Sequence, residues 1–235
     1  MTRIVVLSLF VACTAFAQDP KAKPAGIAPT QENVKYGEHP RQVLDFYQAK
    51  SESPTPLVFA IHGGGWVNGD KNSYRTSAKR FLDAGISVVA INYRMVTEAT
   101  EKKIEPPVKW PIADAARALQ FVRSKAKEFN IDKSRIGATG GSAGGCSSLW
   151  LLYHDDLADA KSDDPVARES TRLFCAAVVG PQTTLDPKVL REWMPNARYG
   201  GHAFAIAGPK GRDSYFQEFF DKRESLLTWI KEYSP

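Results

Sequence analysis

Apolar residues fall into short unbroken runs separated by stretches of helical period. Leu57-Val58-Phe59-Ala60-Ile61 and Ile86-Ser87-Val88-Val89-Ala90-Ile91 are almost wholly apolar and rich in β-branched residues, the pattern of strands buried on both faces. Cys175-Ala176-Ala177-Val178-Val179 has the same character, Arg135 to Thr139 predicts a shorter strand, and Val43 to Tyr47 predicts a first, edge-type strand. Between these runs the period lengthens. Residues 73–84 and 143–153 are helix-like, and Pro111 opens a helix in which Ile112, Ala115, Leu119, Val122, Ala126 and Phe129 share one face. A final helix is expected to carry Phe216, Phe219, Phe220, Leu227 and Ile230 along one side. Strands alternating with helices imply an α/β fold with a mostly parallel sheet.

Two stretches interrupt this alternation at its ends. The first residues carry Arg3, an apolar run from Ile4 to Phe16, and Ala15-Phe16-Ala17 before polar sequence, the pattern of a secretory signal peptide over residues 1–17. The run is too short to span a membrane, and export to the periplasm or the medium is the expectation. Residues 18–33, rich in Pro, Ala and Lys, read as an exposed lead-in. One α/β domain is expected over 34–235, in which residues 180–231 read as a cap or insertion.

Composition narrows the picture. The 235 residues carry 31 Lys plus Arg against 26 Asp plus Glu, and the resulting +5 is not gathered into basic runs, which disfavours nucleic acid as a partner. The 43% hydrophobic content is that of a globular domain and excludes collagen, coiled coil and disordered chain. Cys146 and Cys175 have no metal spacing; a bridge and two buried thiols both remain open. Asp155, Asp156, Asp159, Asp163 and Asp164 lack the Gly and Glu positions of a calcium loop and read as a solvated segment.

The chemistry-bearing stretch is Thr139-Gly140-Gly141-Ser142-Ala143-Gly144-Gly145. It holds G-x-S-x-G between a strand and a helix, where a serine on so tight a bend takes strained dihedrals and presents its hydroxyl above the sheet edge. No G-K-[ST] follows, which excludes a Walker loop. The second stretch is His62-Gly63-Gly64-Gly65-Trp66, directly after a buried strand, where backbone N–H groups can turn into a cleft and hold a developing oxyanion. Gly63, Gly64 and Ala143 are the expected donors. At these residues the sequence resembles the α/β-hydrolase superfamily, in particular the HGGG-bearing esterases and lipases of the carboxylesterase and hormone-sensitive-lipase type. Asn92-Tyr93-Arg94 and the helix DAARALQFVRS extend the likeness over residues 34–175. The resemblance implies hydrolysis of small carboxylic esters through an acyl-enzyme on Ser142, with no metal or organic cofactor.

A serine nucleophile needs a base oriented by an acid, in the chain order serine, acid, histidine. His39 breaks that order, His62 belongs to the glycine loop, and His154 stands about 16 Å along the helix from Ser142. His202 alone has the right order, with Asp186 or Asp213 as its acid, yet none of these follows a recognisable strand. The sharper expectation is a chain ending before the strands that carry acid and base, on Tyr233-Ser234-Pro235, and hence weak activity. The rival reading is a non-catalytic hydrolase-like binding protein or inactive remnant. The five tryptophans are scattered and read first as packing residues, with an acyl or sugar pocket as the alternative for Trp66 and Trp193, and Asp70 is expected to cap or pair locally.

Overall fold

The computed structural model describes residues 26–196, 201–206 and 212–235, so the expected signal peptide and the start of the lead-in lie outside the described residues. Six strands form one sheet in the order β1-β2-β4-β3-β5-β6, where β1 is Gln31–Lys35, β2 Val43–Tyr47, β3 Thr55–Ile61, β4 Ser87–Ile91, β5 Ile131–Gly141 and β6 Cys175–Val179. β1 and β2 are antiparallel; β4, β3, β5 and β6 run parallel. The α/β architecture of the sequence reading is thus realised, with β3 central, paired Phe59 to Val89 on one side and Phe59 to Ala138 on the other.

Alternation of side chains across the pleat divides the core. Leu57, Phe59, Ile61, Val89 and Ile91 point to the face covered by α3 (Lys109–Ser124) and α4 (Ala143–Tyr153), whereas Ala60, Val88 and Ala90 point to the smaller face covered by α1 (Arg75–Asp83). α2 is a short helix over Val96–Glu101.

Several boundaries differ from the sequence reading. β2 is interior, because the polar segment QENVK, whose first three residues fall in the expected lead-in, pairs outside it as β1; Asn33 takes φ 56° and donates its N–H to the Asp45 carboxylate at the irregularity in this pairing. β5 is longer than residues 135–139. α3 stops at Ser124, and Ala126 and Phe129 are buried in the turn beyond it. β6 is not a buried strand: it pairs only with β5, and Val179 is 77% exposed.

The segment after β6 is more ordered than its irregular composition suggests. It forms α5 (Pro187–Trp193), a 3-10 turn at His202–Phe204, α6 (Arg212–Asp221) and α7 (Arg223–Tyr233). The single final helix of the sequence reading is therefore two, divided at Lys222, and in α7 Leu226, Ile230 and Tyr233 are buried rather than Leu227. These residues and Phe204 join the main core, and Trp150 on α4 donates its indole N–H to the Glu232 carbonyl at 2.9 Å. Among the described residues, Leu185, Leu190, Ala203, Phe204, Ile206, Phe219, Leu226 and Ile230 of this region share the main core.

Candidate active site

Ser142 is the single residue between β5 and α4. Its φ of 51° and ψ of −122° belong to a region that side-chain-bearing residues rarely occupy, and such strain persists only where surrounding structure imposes it. Its N–H donates to the Val179 carbonyl at 2.9 Å, and Cys146 N–H donates back to its carbonyl at 2.9 Å. The small residues of the motif are required by contact: a Cβ on Gly140 would lie 2.7 Å from the Ile61 oxygen, and one on Gly144 2.7 Å from the His62 oxygen. The bend is thus wedged against the end of β3, where the second glycine stretch begins.

That stretch turns by positive φ at Gly64 (110°), Gly65 (63°) and Trp66 (58°), and the Gly64 carbonyl accepts from Val67 and Asn68 N–H at 3.1 Å each. Gly63 is brought against the serine: a Cβ there would stand 2.7 Å from the Gly141 oxygen and 3.6 Å from the Ser142 Cβ. No acceptor among the described residues pairs with the backbone N–H of Gly63, Gly64 or Ala143. Ala143 opens α4, whose N-terminal end adds a favourable field for negative charge.

Buried polar groups fix the loop. The His62 ring stacks on Tyr93 at 4.2 Å between centroids, and its Nδ1–H donates to the Gly63 carbonyl at 2.8 Å; burial drives its pKa down to about 4, so the ring is neutral. Tyr93 OH donates to the His62 carbonyl at 2.8 Å. Asp70 caps the 3-10 turn at Lys71–Tyr74 through Asn72 N–H and accepts from Asn92 Nδ2 at 2.7 Å, in keeping with a local role. Two ion pairs with buried carboxylates lie behind it: Lys71 Nζ to Asp45 at 2.8 Å, and the partly exposed Arg94 to Asp114 at 2.6 Å, with Gln42 Nε2 also on Asp114 at 2.8 Å. The sequence reading missed these four charges. Asp114 left one trace, an acid one residue from Ala115 on the apolar side of a helix.

Ser142 lines a cleft of about 520 Å³ with Gly180, Pro181, Gln182, Thr183, Leu190, Trp193 and Met194, a volume within the roughly 300–1,000 Å³ of small-molecule sites. Trp193 is part of this lining. Trp66 is not: it is fully buried and donates its indole N–H to Ser147 Oγ at 3.0 Å. Ser147 and Ser148 are buried, each returning its hydroxyl to a carbonyl one turn earlier, Ala143 and Gly144.

The other titratable candidates stand apart. Both Asp186 oxygens accept from Arg223, Nε and Nη2 at 2.7 Å each, and Oδ1 also caps α5 through Lys188 N–H; these bonds hold its carboxyl below the usual range. His202 lines a separate cavity with Val67, Val96, Thr97, Thr100 and Glu101, and burial lowers its pKa. The structure therefore does not bring Asp186 or His202 to the lining of the Ser142 cleft. The side chain of Asp213 lies outside the described residues. His39 pairs with Glu98 at 2.8 Å, and His154 stacks on Trp150 at 4.4 Å. In the acidic stretch, Asp164 pairs with Arg117 at 2.5 Å and Asp156 accepts from Thr171 N–H and Ser170 Oγ, which makes these loop-fixing contacts. Cys146 is a buried free thiol, pushed up to about 12 by burial, and Cys175 is free and exposed. Among the described residues no three His, Cys, Asp or Glu side chains gather as a metal would require, and no helix is long and apolar enough to cross a membrane.

Comparison with known proteins agrees with this fold. The BD-FAE family model matches residues 44–188. Gut esterase 1 of Caenorhabditis elegans is 29% identical over 153 residues, covering 63% of this chain and 27% of that protein. The probable carboxylic ester hydrolase LipM of Mycobacterium tuberculosis is 36% identical over 132 residues, 53% of this chain and 28% of LipM. The chain thus spans under a third of the length of these relatives. Among solved structures, the acetyl ester-xyloside bifunctional hydrolase of Caldicellulosiruptor lactoaceticus superposes with a TM-score of 0.61 at 26% identity, over 85% of this chain and 71% of that one. With its parallel sheet, the serine bend and the glycine loop beside it, the chain is an α/β-hydrolase and belongs to the BD-FAE family.

Proposed function

We propose that the protein is an exported serine hydrolase that cleaves carboxylic esters, with Ser142 as the nucleophile. In this reading the Ser142 hydroxyl attacks the ester carbonyl, the alcohol leaves with a proton, and water releases the acid from the acyl-enzyme. The carbonyl oxygen, negative in the tetrahedral intermediate, is met by the N–H groups of Gly63, Gly64 and Ala143. The observation that carries the reading is the strained Ser142 bend packed directly against Gly63. The relatives that resemble the chain act in support, since two bear esterase or ester hydrolase in their names. Export rests on the N-terminal pattern alone, and a mature chain beginning at Gln18 is its consequence.

A second reading, a hydrolase-like binding protein with little or no turnover, is favoured by one observation: the described residues around the cleft include no imidazole and no carboxylate. The two readings part on one experiment. Incubation with an organophosphonate, followed by peptide mass spectrometry, labels Ser142 and neither Ser147 nor Ser148 if the bend activates its hydroxyl. A folded chain left unlabelled supports the binding protein.

A further inference from the structure

α5 is held at both ends. At its start Asp186 caps the helix and grips Arg223 on α7 through two hydrogen bonds; near its end the Arg191 guanidinium lies over Phe216 at 4.7 Å and Phe220 at 5.3 Å on α6. Leu190 faces inward and is buried. The helix is thus a fixed arm, and its last residue, Trp193, stands at the mouth of the cleft 63% exposed. A large apolar ring left in water on a braced element loses little freedom when it takes a ligand.

The other four tryptophans already have partners. Trp66 is bonded to Ser147, Trp150 is stacked on His154, Trp229 lies 6.3 Å from Phe204, and Arg94 covers Trp110 at 4.3 Å. Trp193 has no ring or cation partner among the described residues. It shares the cleft with Ser142, with Pro181, Leu190 and Met194 as apolar neighbours and Gln182 and Thr183 as polar ones.

We propose that Trp193 is a specificity-determining residue whose indole receives the flat face of a ring carried by the ester. This rests on the esterase reading of the same cleft. Two chemistries present such a face: the C–H face of a pyranose is drawn to the negative face of an indole, and an aromatic ring stacks on it with an offset. The arm, not the catalytic bend, then sets which esters are held near Ser142.

Binding to the full chain carrying Ser142→Ala, which leaves esters intact, tests this by calorimetry with benzyl acetate, a methyl mono-O-acetyl-pyranoside and pentyl acetate as the acyclic control. At least one ring ester should bind about three- to tenfold more tightly than pentyl acetate. Adding Trp193→Ala should erase that advantage, and Trp193→Phe should keep most of it. Benzyl acetate alone preferred assigns an aryl ring, the pyranoside alone a sugar. Ring esters binding no better than pentyl acetate, or a preference surviving Trp193→Ala, overturns the proposal. Phosphonate labelling of the unsubstituted chain separates the two failures: labelling of Ser142 without ring preference removes this inference alone, whereas a folded chain left unlabelled removes the esterase reading and this inference with it.

Discussion

The regions on either side of β6 are built on different principles. Before it, the glycine loop and the serine bend are over-determined: strained backbone, glycines in van der Waals contact with carbonyls, a neutral buried imidazole and two ion pairs whose carboxylates are almost wholly out of water. After it, short helices are pinned by partly exposed pairs such as Asp186–Arg223 and by cation–π contacts, beside a strand that is last in the sheet among the described residues. The first arrangement holds one geometry and tolerates little change. The second positions a surface and can drift without loss of the fold, which suits a wall that distinguishes substrates.

Removing a charge from each region should expose the contrast. Asp114→Ala strands Arg94 and Gln42 and releases the Arg94 N–H that Asp114 holds at 2.8 Å. Arg94 is partly exposed and water can reach it once the carboxylate is gone, so the expected cost is about 2–3 kcal/mol, below that of a fully buried pair and read as a fall in the denaturant midpoint. Equal tolerance of Asp114→Ala and Asp186→Asn would erase the distinction between the regions.

His62 sharpens it through pH. Its folded pKa of about 4 lies below the ordinary 6.5, so the unfolded chain takes up a proton that the folded chain refuses. Its contribution is therefore complete above pH 6.5 and is lost as pH falls toward 4, by about 3 kcal/mol over that window. Denaturant unfolding at pH 7 and pH 4.5 should show a steeper loss in the natural chain than in His62→Phe, which keeps a ring beside Tyr93 but cannot titrate.

The smallest effect belongs to the second region. Asp186→Asn weakens the grip on Arg223 and should cost about 1–2 kcal/mol, while the rate of phosphonate labelling at Ser142 changes little. A labelling rate lowered a hundredfold by this substitution would assign Asp186 to the proton-transfer machinery instead of to the arm.

Legibility in the sequence follows the same division. HGGGW and GGSAGG were readable because close approach of two backbones admits only glycine, and β3, β4 and α4 because burial leaves period and β-branching in the residues themselves. β1 was lost in a polar stretch, since an edge strand pairs through its backbone and QENVK has little apolar signal. α5 was hidden by its length, and the break at Lys222 by a sequence whose helical residues continue on both sides. The charges behind the loop, Asp45, Lys71, Arg94 and Asp114, come from four separate segments, and their pairing exists only after folding. Trp66 and Trp193 read alike, as packing residues with a pocket role open to both; nothing local separates an exposed indole from a buried one.

The central claim is that the Ser142 hydroxyl works against the N–H groups of the loop beginning at Gly63. Gly63→Ala tests it most directly, because the added methyl would press 2.7 Å from the Gly141 oxygen while the residues behind the loop stay unchanged. With circular dichroism verifying the fold, phosphonylation of Ser142 in this variant should slow by about a hundredfold or more, the effect of a displaced oxyanion donor. Labelling at the natural rate in a folded Gly63→Ala chain would contradict the account.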